Sequence, residues 1–258
     1  MSRRSTIGNG AVLATPVGAA ATDAAATDDV LVGTAPSGTA SSGTAPVGRT
    51  PPENAAAVFG PDLGPGSALF LASRYAEILA TRGLEQGLIG PHEVPRLWDR
   101  HLLNCAVVAE LIDVTCGTLV DIGSGAGLPG LVLAMLRPEI QVTLLEPMER
   151  RARFLTECVA ELALANVSVL RGRAEDAAVR ADVATARAVA PLDRLAELAI
   201  RVVRPGGTVL AIKGRTAADE LNAAAPTLRR IGARSVEVVR AGQGKVVPAT
   251  TVVRFIVR

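Results

Sequence analysis

Short runs of valine, leucine and isoleucine alternate with longer amphipathic stretches over residues 118 to 231. The runs lack the polar–apolar alternation of strands that face water on one side, which predicts strands buried on both faces. The strand candidates are Thr118–Ile122, Val142–Leu145, Val167–Leu170, Val183–Ala186 and Thr208–Lys213. The helical stretches between and after them are 128–136, 148–164, 191–203 and 216–231. This order predicts a parallel sheet covered by helices on both faces.

The two ends of this region depart from the alternation. Two helices are predicted before the first strand, at 67–81 and 93–113, from apolar residues at helical spacing. At the other end, Ser235–Arg240 and Thr250–Val257 are strand candidates joined by a loop without a helix. We therefore expect an α/β fold: a mostly parallel seven-stranded sheet with an antiparallel C-terminal strand and extra N-terminal helices. This ending is typical of the class I methyltransferase variant of the Rossmann-like architecture rather than of the dinucleotide-binding one.

Residues 1–65 have a different composition, dominated by alanine, glycine, threonine, serine and proline. Such a segment buries too little apolar surface to offset its ordering entropy, so we predict a disordered extension followed by one domain at 66–258. Two other interpretations remain open. Arg3 and Arg4 with the alanines after them faintly resemble a twin-arginine export signal. Alternatively, the start codon is assigned too far upstream.

Composition and charge narrow the class of protein. Hydrophobic residues make up 49% of the 258 and aromatic residues only 2%, which predicts an aliphatic core. The net charge of +2 is too small to indicate nucleic-acid binding by itself. Cys105, Cys116 and Cys158 have no metal-ligand spacing, which favours a reducing compartment and argues against disulfides or zinc. With no apolar run of membrane-spanning length, we expect a cytoplasmic protein without a metal site.

The strongest motif is the glycine loop at 123–127, which follows the strand candidate ending in Asp121 and Ile122. Glycines allow a sharp turn and let a ligand approach the backbone closely. The pattern G-x-G-x-G is that of class I methyltransferases, where the loop lies under the amino-acid part of S-adenosylmethionine. A dinucleotide site would place glycine at position 128, which is Leu128 here. Taken alone, the motif also fits an ordinary tight turn between strand and helix.

Two further features agree with S-adenosylmethionine as the cofactor. Glu146 ends the second strand candidate, where a carboxylate can accept hydrogen bonds from both ribose hydroxyls of an adenosine. A charge exposed in a loop is its simpler interpretation. The turn Arg204–Gly207 precedes the fifth strand candidate and resembles the R-P-G-G turn widespread in class I methyltransferases. The segment Arg171–Asp176 follows the third strand candidate, where this fold usually contacts the adenine.

Five segments carry a family resemblance: Arg100–Asn104, Asp121–Gly130, Arg150–Leu155, Ala186–Ala190 and Ile212–Gly214. They resemble the RsmG family, also called glucose-inhibited division protein B, whose members methylate N7 of a guanine in 16S ribosomal RNA. The resemblance covers roughly residues 66–258. Its most specific parts are the G-L-P-G after the glycine loop and the arginine and alanines after the fourth strand. The chain departs from the family where Ala186, not serine, precedes Arg187, and in its long N-terminal extension.

The resemblance also implies functional residues. It implies that S-adenosylmethionine contacts Gly123, Leu128, Ala174, Glu175 and Arg187. Arg187 would lie at the carboxyl edge of the sheet and could serve both cofactor and substrate. Lys213, at the end of the fifth strand candidate, is a candidate contact to phosphate or base. Together Arg187 and Lys213 are the candidate catalytic residues.

Guanine N7 has a free lone pair and carries no proton, so the expected reaction needs no general base. For His101, packing within its helix is at least as good an explanation as a contact to RNA. The expected substrate is 16S ribosomal RNA in an assembled or partly assembled small ribosomal subunit, because the small net charge argues against tight binding to naked RNA. We expect a monomer.

Three alternatives use the same motifs differently. A small-molecule methyltransferase would keep the fold and cofactor but would need a substrate pocket, for which this chain has few aromatic residues. A binding module could hold S-adenosylmethionine as a sensor or assembly factor without turnover. An oxidoreductase is disfavoured because the dinucleotide motif is absent.

Overall fold

The computed structural model describes residues 48–258. Its sheet has seven strands in the order β3-β2-β1-β4-β5-β7-β6. The strands are β1 (Thr118–Ile122), β2 (Gln141–Glu146), β3 (Val167–Arg171), β4 (Ala181–Arg187), β5 (Val203–Lys213), β6 (Arg234–Ala241) and β7 (Thr250–Ile256). Strands β1 to β5 pair in parallel, whereas β7 lies antiparallel between β5 and β6. The predicted sheet, with its antiparallel C-terminal strand, is confirmed.

Seven α-helices accompany the sheet within the described part of the chain. They are α1 (Ala55–Phe59), α2 (Ala68–Ile78), α3 (Leu103–Ala106), α4 (Gly130–Leu136), α5 (Glu149–Glu161), α6 (Leu192–Val202) and α7 (Ala217–Arg230). A wide π turn, Leu79–Gly83, continues α2. The Ser67 hydroxyl accepts a hydrogen bond from the Phe70 amide and caps the start of α2.

The second predicted helix, 93–113, is the one that differs most from the expectation. It consists of a tight 3-10 segment (Pro91–Arg96), a wide π segment (Leu97–Leu102), the short α3 and a second 3-10 segment, Val107–Leu111. Pro95 lies inside the first segment and lacks an amide hydrogen, so a regular helical ladder cannot run through it. Apolar spacing alone predicted one helix because it does not register such changes of helical pitch.

Two apolar cores lie on opposite faces of the sheet. The first contains Tyr75 and Phe154 and packs α2, α4, α5 and the irregular helical segments against one face. The second contains Leu195 and Phe255 and packs α6 and α7 against the other. Neighbouring residues of β1 divide between the cores, with Leu119 in the first and Val120 in the second, as strand geometry requires.

The predicted boundary at residue 65 is wrong for residues 48–65. Ala55 and Phe59 are buried in the first core, and the Phe59 ring contacts the Trp98 ring edge-on at a centroid distance of 5.9 Å. The Trp98 indole N–H also donates to the Arg49 carbonyl at 3.1 Å. Burial of Ala55 and Phe59, together with the Trp98–Arg49 hydrogen bond, anchors a stretch whose average composition resembles that of a linker. Residues 1–47, including the predicted disorder and the Arg3–Arg4 motif, lie outside the described residues.

The strand order creates a crevice between the carboxyl ends of β1 and β4. Strands β1 and β4 are neighbours, and the chain leaves them toward opposite sides of the sheet, β1 toward β2 and β4 toward β5. Ligands of open α/β sheets bind at such a switch point, outside the carboxyl ends of the strands. Over residues 48–258, no helix is long and apolar enough to cross a membrane.

Candidate functional site

The glycine loop follows β1 in the chain and is hydrogen-bonded to the end of β2. The amides of Gly123 and Ser124 both donate to the Leu145 carbonyl, at 2.8 and 3.2 Å. Gly127 has a φ of 101°, and a Cβ atom there would lie 2.4 Å from the Leu131 side chain and 2.8 Å from the Tyr75 hydroxyl. Tyr75 in turn donates to the Ala126 carbonyl. The loop is therefore fixed from below by α2 and α4, and Gly127 cannot be replaced without moving its neighbours.

Asp121 lies directly beneath this loop and is fully buried. Its Oδ2 accepts from the Gly130 amide at 3.0 Å, whereas Oδ1 has no partner among the described residues. Burial raises the pKa of the Asp121 carboxyl to about 7. A buried, unpartnered carboxylate oxygen beside a glycine loop fits a ligand that brings a cationic N–H donor. The amino group of S-adenosylmethionine is such a donor.

Gly130, the last residue of the G-L-P-G motif, has a packing reason that the sequence did not reveal. A Cβ atom at this position would lie 2.4 Å from the Leu144 side chain and 2.7 Å from Asp121 Oδ2. Only glycine lets α4 begin close enough for its first amide to reach the buried carboxylate.

Glu146 ends β2 and is also almost completely buried, with 1% of its surface exposed. Its Oε2 accepts from the Gly125 amide and its Oε1 from the Met148 amide, both at 2.9 Å. It is therefore not the exposed loop charge of the simpler interpretation. Each carboxylate oxygen can accept more than one hydrogen bond, so these contacts leave capacity for ligand hydroxyls.

The other predicted cofactor contacts lie at the same edge of the sheet. Leu128 follows the glycine loop, and its amide donates to the Ser124 carbonyl at 3.3 Å. Ala174 is buried beyond the end of β3. The neighbouring Glu175 is exposed and forms an ion pair with Arg194 of α6. A contact from the Glu175 carboxylate to a ligand would compete with this pair.

Arg187, at the carboxyl end of β4, is held by three neutral groups. Its Nη2 pairs with Nδ1 of His101 and donates to the Arg100 carbonyl at 3.3 Å. Its Nη1 donates to the Cys105 sulfur at 3.4 Å. These contacts use three of the five guanidinium N–H groups, and Nε–H and one Nη1–H have no partner among residues 48–258. None of the three partners neutralises its charge.

His101 connects Arg187 to a carboxylate. Its Nε2 lies 2.7 Å from Glu93 Oε2, and Arg100 approaches the same oxygen at 3.3 Å. Burial, together with the nearby Arg187 charge, lowers the pKa of His101 to about 4. The ring is therefore neutral at pH 7, so Nδ1 accepts from Arg187 and Nε2–H donates to Glu93. Sequence reasoning missed Glu93, because no motif links it to His101 or Arg187.

A cleft of about 810 Å³ opens beside the glycine loop, at the carboxyl ends of β4 and β5 and the start of β7. We call it the cationic cleft, because its lining includes the positively charged residues Arg100, Arg187, Lys213, Arg215 and Arg240. Among the described residues of the lining, Glu220 is the acidic one and none is aromatic. Val189, also in the lining, lies over Gly123, where an added Cβ would meet it at 3.0 Å. Val189 thus separates the cleft from the glycine loop.

Lys213, predicted to contact a phosphate or a base, is already paired within the protein. Its Nζ donates to the Ala190 carbonyl at 2.8 Å and pairs with Glu220 at 2.7 Å, and only 9% of its side chain is exposed. These contacts tie the segment after β4 to β5 and α7. A direct contact from Lys213 to a substrate stays a prediction. Among residues 48–258, no three His, Cys, Asp or Glu side chains lie together as a metal site would require.

Comparison with known proteins gives consistent matches. The family model described as rRNA small subunit methyltransferase G matches residues 69–247. The protein named ribosomal RNA small subunit methyltransferase G from Thermobifida fusca is 57% identical over 194 residues, covering 74% of this chain and 81% of that protein. Its counterpart from Streptomyces coelicolor is 52% identical over 206 residues, covering 79% and 83%.

Two solved structures resemble the fold. One, from Methanococcus maripaludis, is described as an S-adenosyl-L-methionine-dependent methyltransferase. It has a TM-score of 0.51 at 16% identity and covers 72% of this chain and 91% of its own. The other, the S-adenosylmethionine-dependent methyltransferase SibL, has a TM-score of 0.51 at 20% identity and covers 70% and 61%. Both share the class I methyltransferase architecture with this chain.

Proposed function

The chain belongs to the rRNA small subunit methyltransferase G family, and from this premise we propose that it methylates N7 of one guanine in 16S ribosomal RNA. The methyl donor is S-adenosylmethionine, and the substrate is the small ribosomal subunit, complete or partly assembled. The protein acts as a monomer in the cytoplasm, where such subunits assemble. The observation that carries the proposal is that the glycine loop, with the buried carboxylates Asp121 and Glu146, adjoins at Val189 a cleft lined by cations that include Arg187.

The cofactor would lie across the glycine loop. The free Oδ1 of Asp121 would accept from its amino group, and Glu146 would accept from its ribose hydroxyls. Leu128, Ala174 and the Glu175 backbone would line the space toward the adenine. When bound, S-adenosylmethionine supplies an electrophilic methyl group on a sulfonium, so the chemistry belongs to the cofactor.

The protein's own contribution is to position the acceptor and exclude competing groups. Guanine N7 offers its lone pair directly, so none of these residues must remove a proton. The two remaining N–H groups of Arg187 can donate to an oxygen of the guanosine nucleotide and hold it in line with the methyl group. Val189 lies between the glycine loop and the cationic cleft, where it would meet both partners.

The cationic cleft is the proposed surface for RNA. Arg100, Arg215 and Arg240 are exposed there, although the whole chain has a net charge of only +2. Positive charge is thus concentrated beside the glycine loop, where phosphates would be bound. A small aromatic substrate is disfavoured, since the lining offers no aromatic side chain for stacking.

The direct test is methyl transfer from radiolabelled S-adenosylmethionine to small ribosomal subunits that lack the modification. We expect label at one guanine, assigned to N7 by chemical cleavage of the RNA at that base. The Arg187→Ala variant should lose the label. The Arg254→Ala variant, which removes an arginine paired with Glu237 away from the cleft, should keep it.

Two results would overturn parts of the proposal. An enzyme that binds the cofactor but labels no RNA would contradict the substrate and favour a small-molecule methyltransferase or a cofactor-binding assembly factor. Equal labelling of free 16S RNA and of subunits would contradict the assembled subunit as the substrate.

A further inference from the structure

A chain of three side chains connects the irregular helical region to the end of β4. Glu93 accepts from Nε2–H of His101, and Nδ1 of His101 accepts from Arg187. His101 is buried, with 8% of its surface exposed, and lies 86 residues from Arg187 in sequence. The contact therefore forms only in the folded protein, between two elements that are distant in sequence.

The local structure around His101 is built to present polar groups. His101 lies in the wide π segment Leu97–Leu102, and such segments leave backbone carbonyls open to other donors. The side-chain amide of Asn104 donates to the carbonyls of Asp99 and Arg100, at 3.0 and 3.1 Å. The Arg100 carbonyl also accepts from Arg187. This stretch of chain thus supplies two of the three groups that hold Arg187.

The use of an imidazole has an electrostatic consequence. A carboxylate beside Arg187 would hold the guanidinium but would cancel its charge, whereas a neutral imidazole holds it and leaves the charge available. Glu93 acts on Arg187 indirectly, through His101. By accepting from Nε2–H it fixes the tautomer in which Nδ1 faces the arginine.

We propose that His101 and Glu93 are positioning residues for methyl transfer, acting through Arg187 without touching cofactor or RNA themselves. This inference rests on the proposed function, because it assigns Arg187 to the oriented nucleotide. An arginine side chain has many rotamers, and its misplacement by about 1 Å can cost about 100-fold in rate. The alternative is that His101 only fills space in the core.

The kinetic test compares His101→Leu, Glu93→Leu and Glu93→Gln with the wild-type protein on small subunits. Leucine keeps the bulk but offers no acceptor, so His101→Leu and Glu93→Leu should lower kcat by about 10- to 100-fold. The KM for S-adenosylmethionine should stay within a few-fold. Glu93→Gln keeps an oxygen that accepts from Nε2–H and should restore most of kcat. His92→Leu, the only other histidine, should have no effect.

A spectroscopic measurement on the same variants is independent of activity. With two histidines in the chain, the 15N signals of the His101 ring are assigned by the loss of the His92 signals in His92→Leu. We expect a fixed Nε2–H tautomer. Its titration should shift to higher pH in Arg187→Ala, which removes a facing positive charge, and to lower pH in Glu93→Gln. Arg100 is the other charged group facing this ring.

The outcomes separate this inference from the proposed function. Failure of the wild-type protein to label RNA contradicts the function itself. Normal labelling with unchanged kcat in a well-folded His101→Leu variant contradicts the inference alone, as does a ring that titrates near 6.5 and ignores Arg187→Ala.

Discussion

The glycine loop and the cationic cleft adjoin at Val189 but are built in opposite ways. At the glycine loop, two buried carboxylates, Asp121 and Glu146, are held by backbone amides within 21 residues in sequence. In the cleft, arginines are exposed, and Arg187 is held by side chain and backbone from residues 100–105. The first region is built from contacts between residues that are close in sequence. The second exists only because distant elements meet.

This difference bears on what each region recognises. Buried acceptors with fixed geometry suit one small cationic ligand, and the unpartnered Oδ1 of Asp121 fits this. Exposed arginines suit a large anionic partner, for which each contact contributes little and the sum decides affinity. Arg187 lines the cleft and is the proposed contact to both cofactor and nucleotide, so its loss should affect the reaction more than any other single change.

The largest expected effect is that of Arg187→Ala on methyl transfer. Removing one positioned donor should lower kcat by about 100- to 1,000-fold. Single-turnover labelling of small subunits at saturating cofactor measures it. An effect smaller than that of His101→Leu would contradict the order of action, since His101 acts only through Arg187.

Gly127→Ala should disrupt the glycine loop through a steric clash. The new Cβ meets Leu131 and Tyr75 at a φ of 101°, which should cost about 1–3 kcal/mol of unfolding free energy and most of the cofactor affinity. Urea denaturation and calorimetric titration measure the two effects. Gly206→Ala is the matched control, because its φ of 80° is also positive but an added Cβ would have no atom of residues 48–258 within 4 Å. Equal losses in both variants would refute the packing argument.

Asp121→Asn should remove the pH dependence of cofactor binding. Only the ionised carboxylate attracts the cofactor's cationic amino group, and burial raises the pKa of Asp121 to about 7. Wild-type affinity should therefore rise with pH by up to about tenfold per unit below pH 7 and level off above it. Asp121→Asn should bind weakly and without this rise. Calorimetric titrations of S-adenosylmethionine between pH 6 and 8 measure this dependence. A wild-type affinity that does not change with pH would contradict the assignment of Asp121 to the amino group.

The same carboxyl has the opposite effect on stability. Because its pKa is raised on folding, the folded state holds a proton that the unfolded state has lost between about pH 4 and pH 7. Its contribution to the unfolding free energy therefore declines as pH rises through that window. Without cofactor, Asp121→Asn should lack this decline in urea denaturation series. The ionised Asp121 carboxylate therefore lowers the unfolding free energy at the same pH at which we propose that it binds the cofactor.

The smallest expected effect is that of Arg240→Ala in the cleft. Arg240 contacts Thr251 and lies exposed beside the cleft. Its loss should weaken subunit binding several-fold and lower the slope of log affinity against log salt by about 1. Filter binding at several salt concentrations measures both. An unchanged slope would remove Arg240 from the RNA surface.

The sequence could predict the first region well and the second poorly, for a physical reason. A glycine loop between a strand and a helix is encoded within ten residues, so Asp121 and Gly123–Gly127 could be recognised directly. The pairing of Arg187 with His101 depends on strand order and on an irregular helical region, in which Pro95 interrupts the hydrogen-bond ladder and Asn104 donates to the Arg100 carbonyl. The packing of residues 48–65 could not be predicted for the same reason, because Phe59 contacts Trp98, which is distant in sequence, and average composition does not reveal such a contact.

The most direct test of the division of labour is to measure cofactor and subunit binding side by side for Asp121→Asn and Arg240→Ala at pH 8. If the glycine loop holds the cofactor and the cationic cleft holds RNA, Asp121→Asn should lose cofactor affinity and bind subunits like the wild-type protein. Arg240→Ala should lose affinity for subunits and bind the cofactor like the wild-type protein. Loss of both activities in either variant, with unfolding free energy unchanged, would contradict the assignment of separate binding regions.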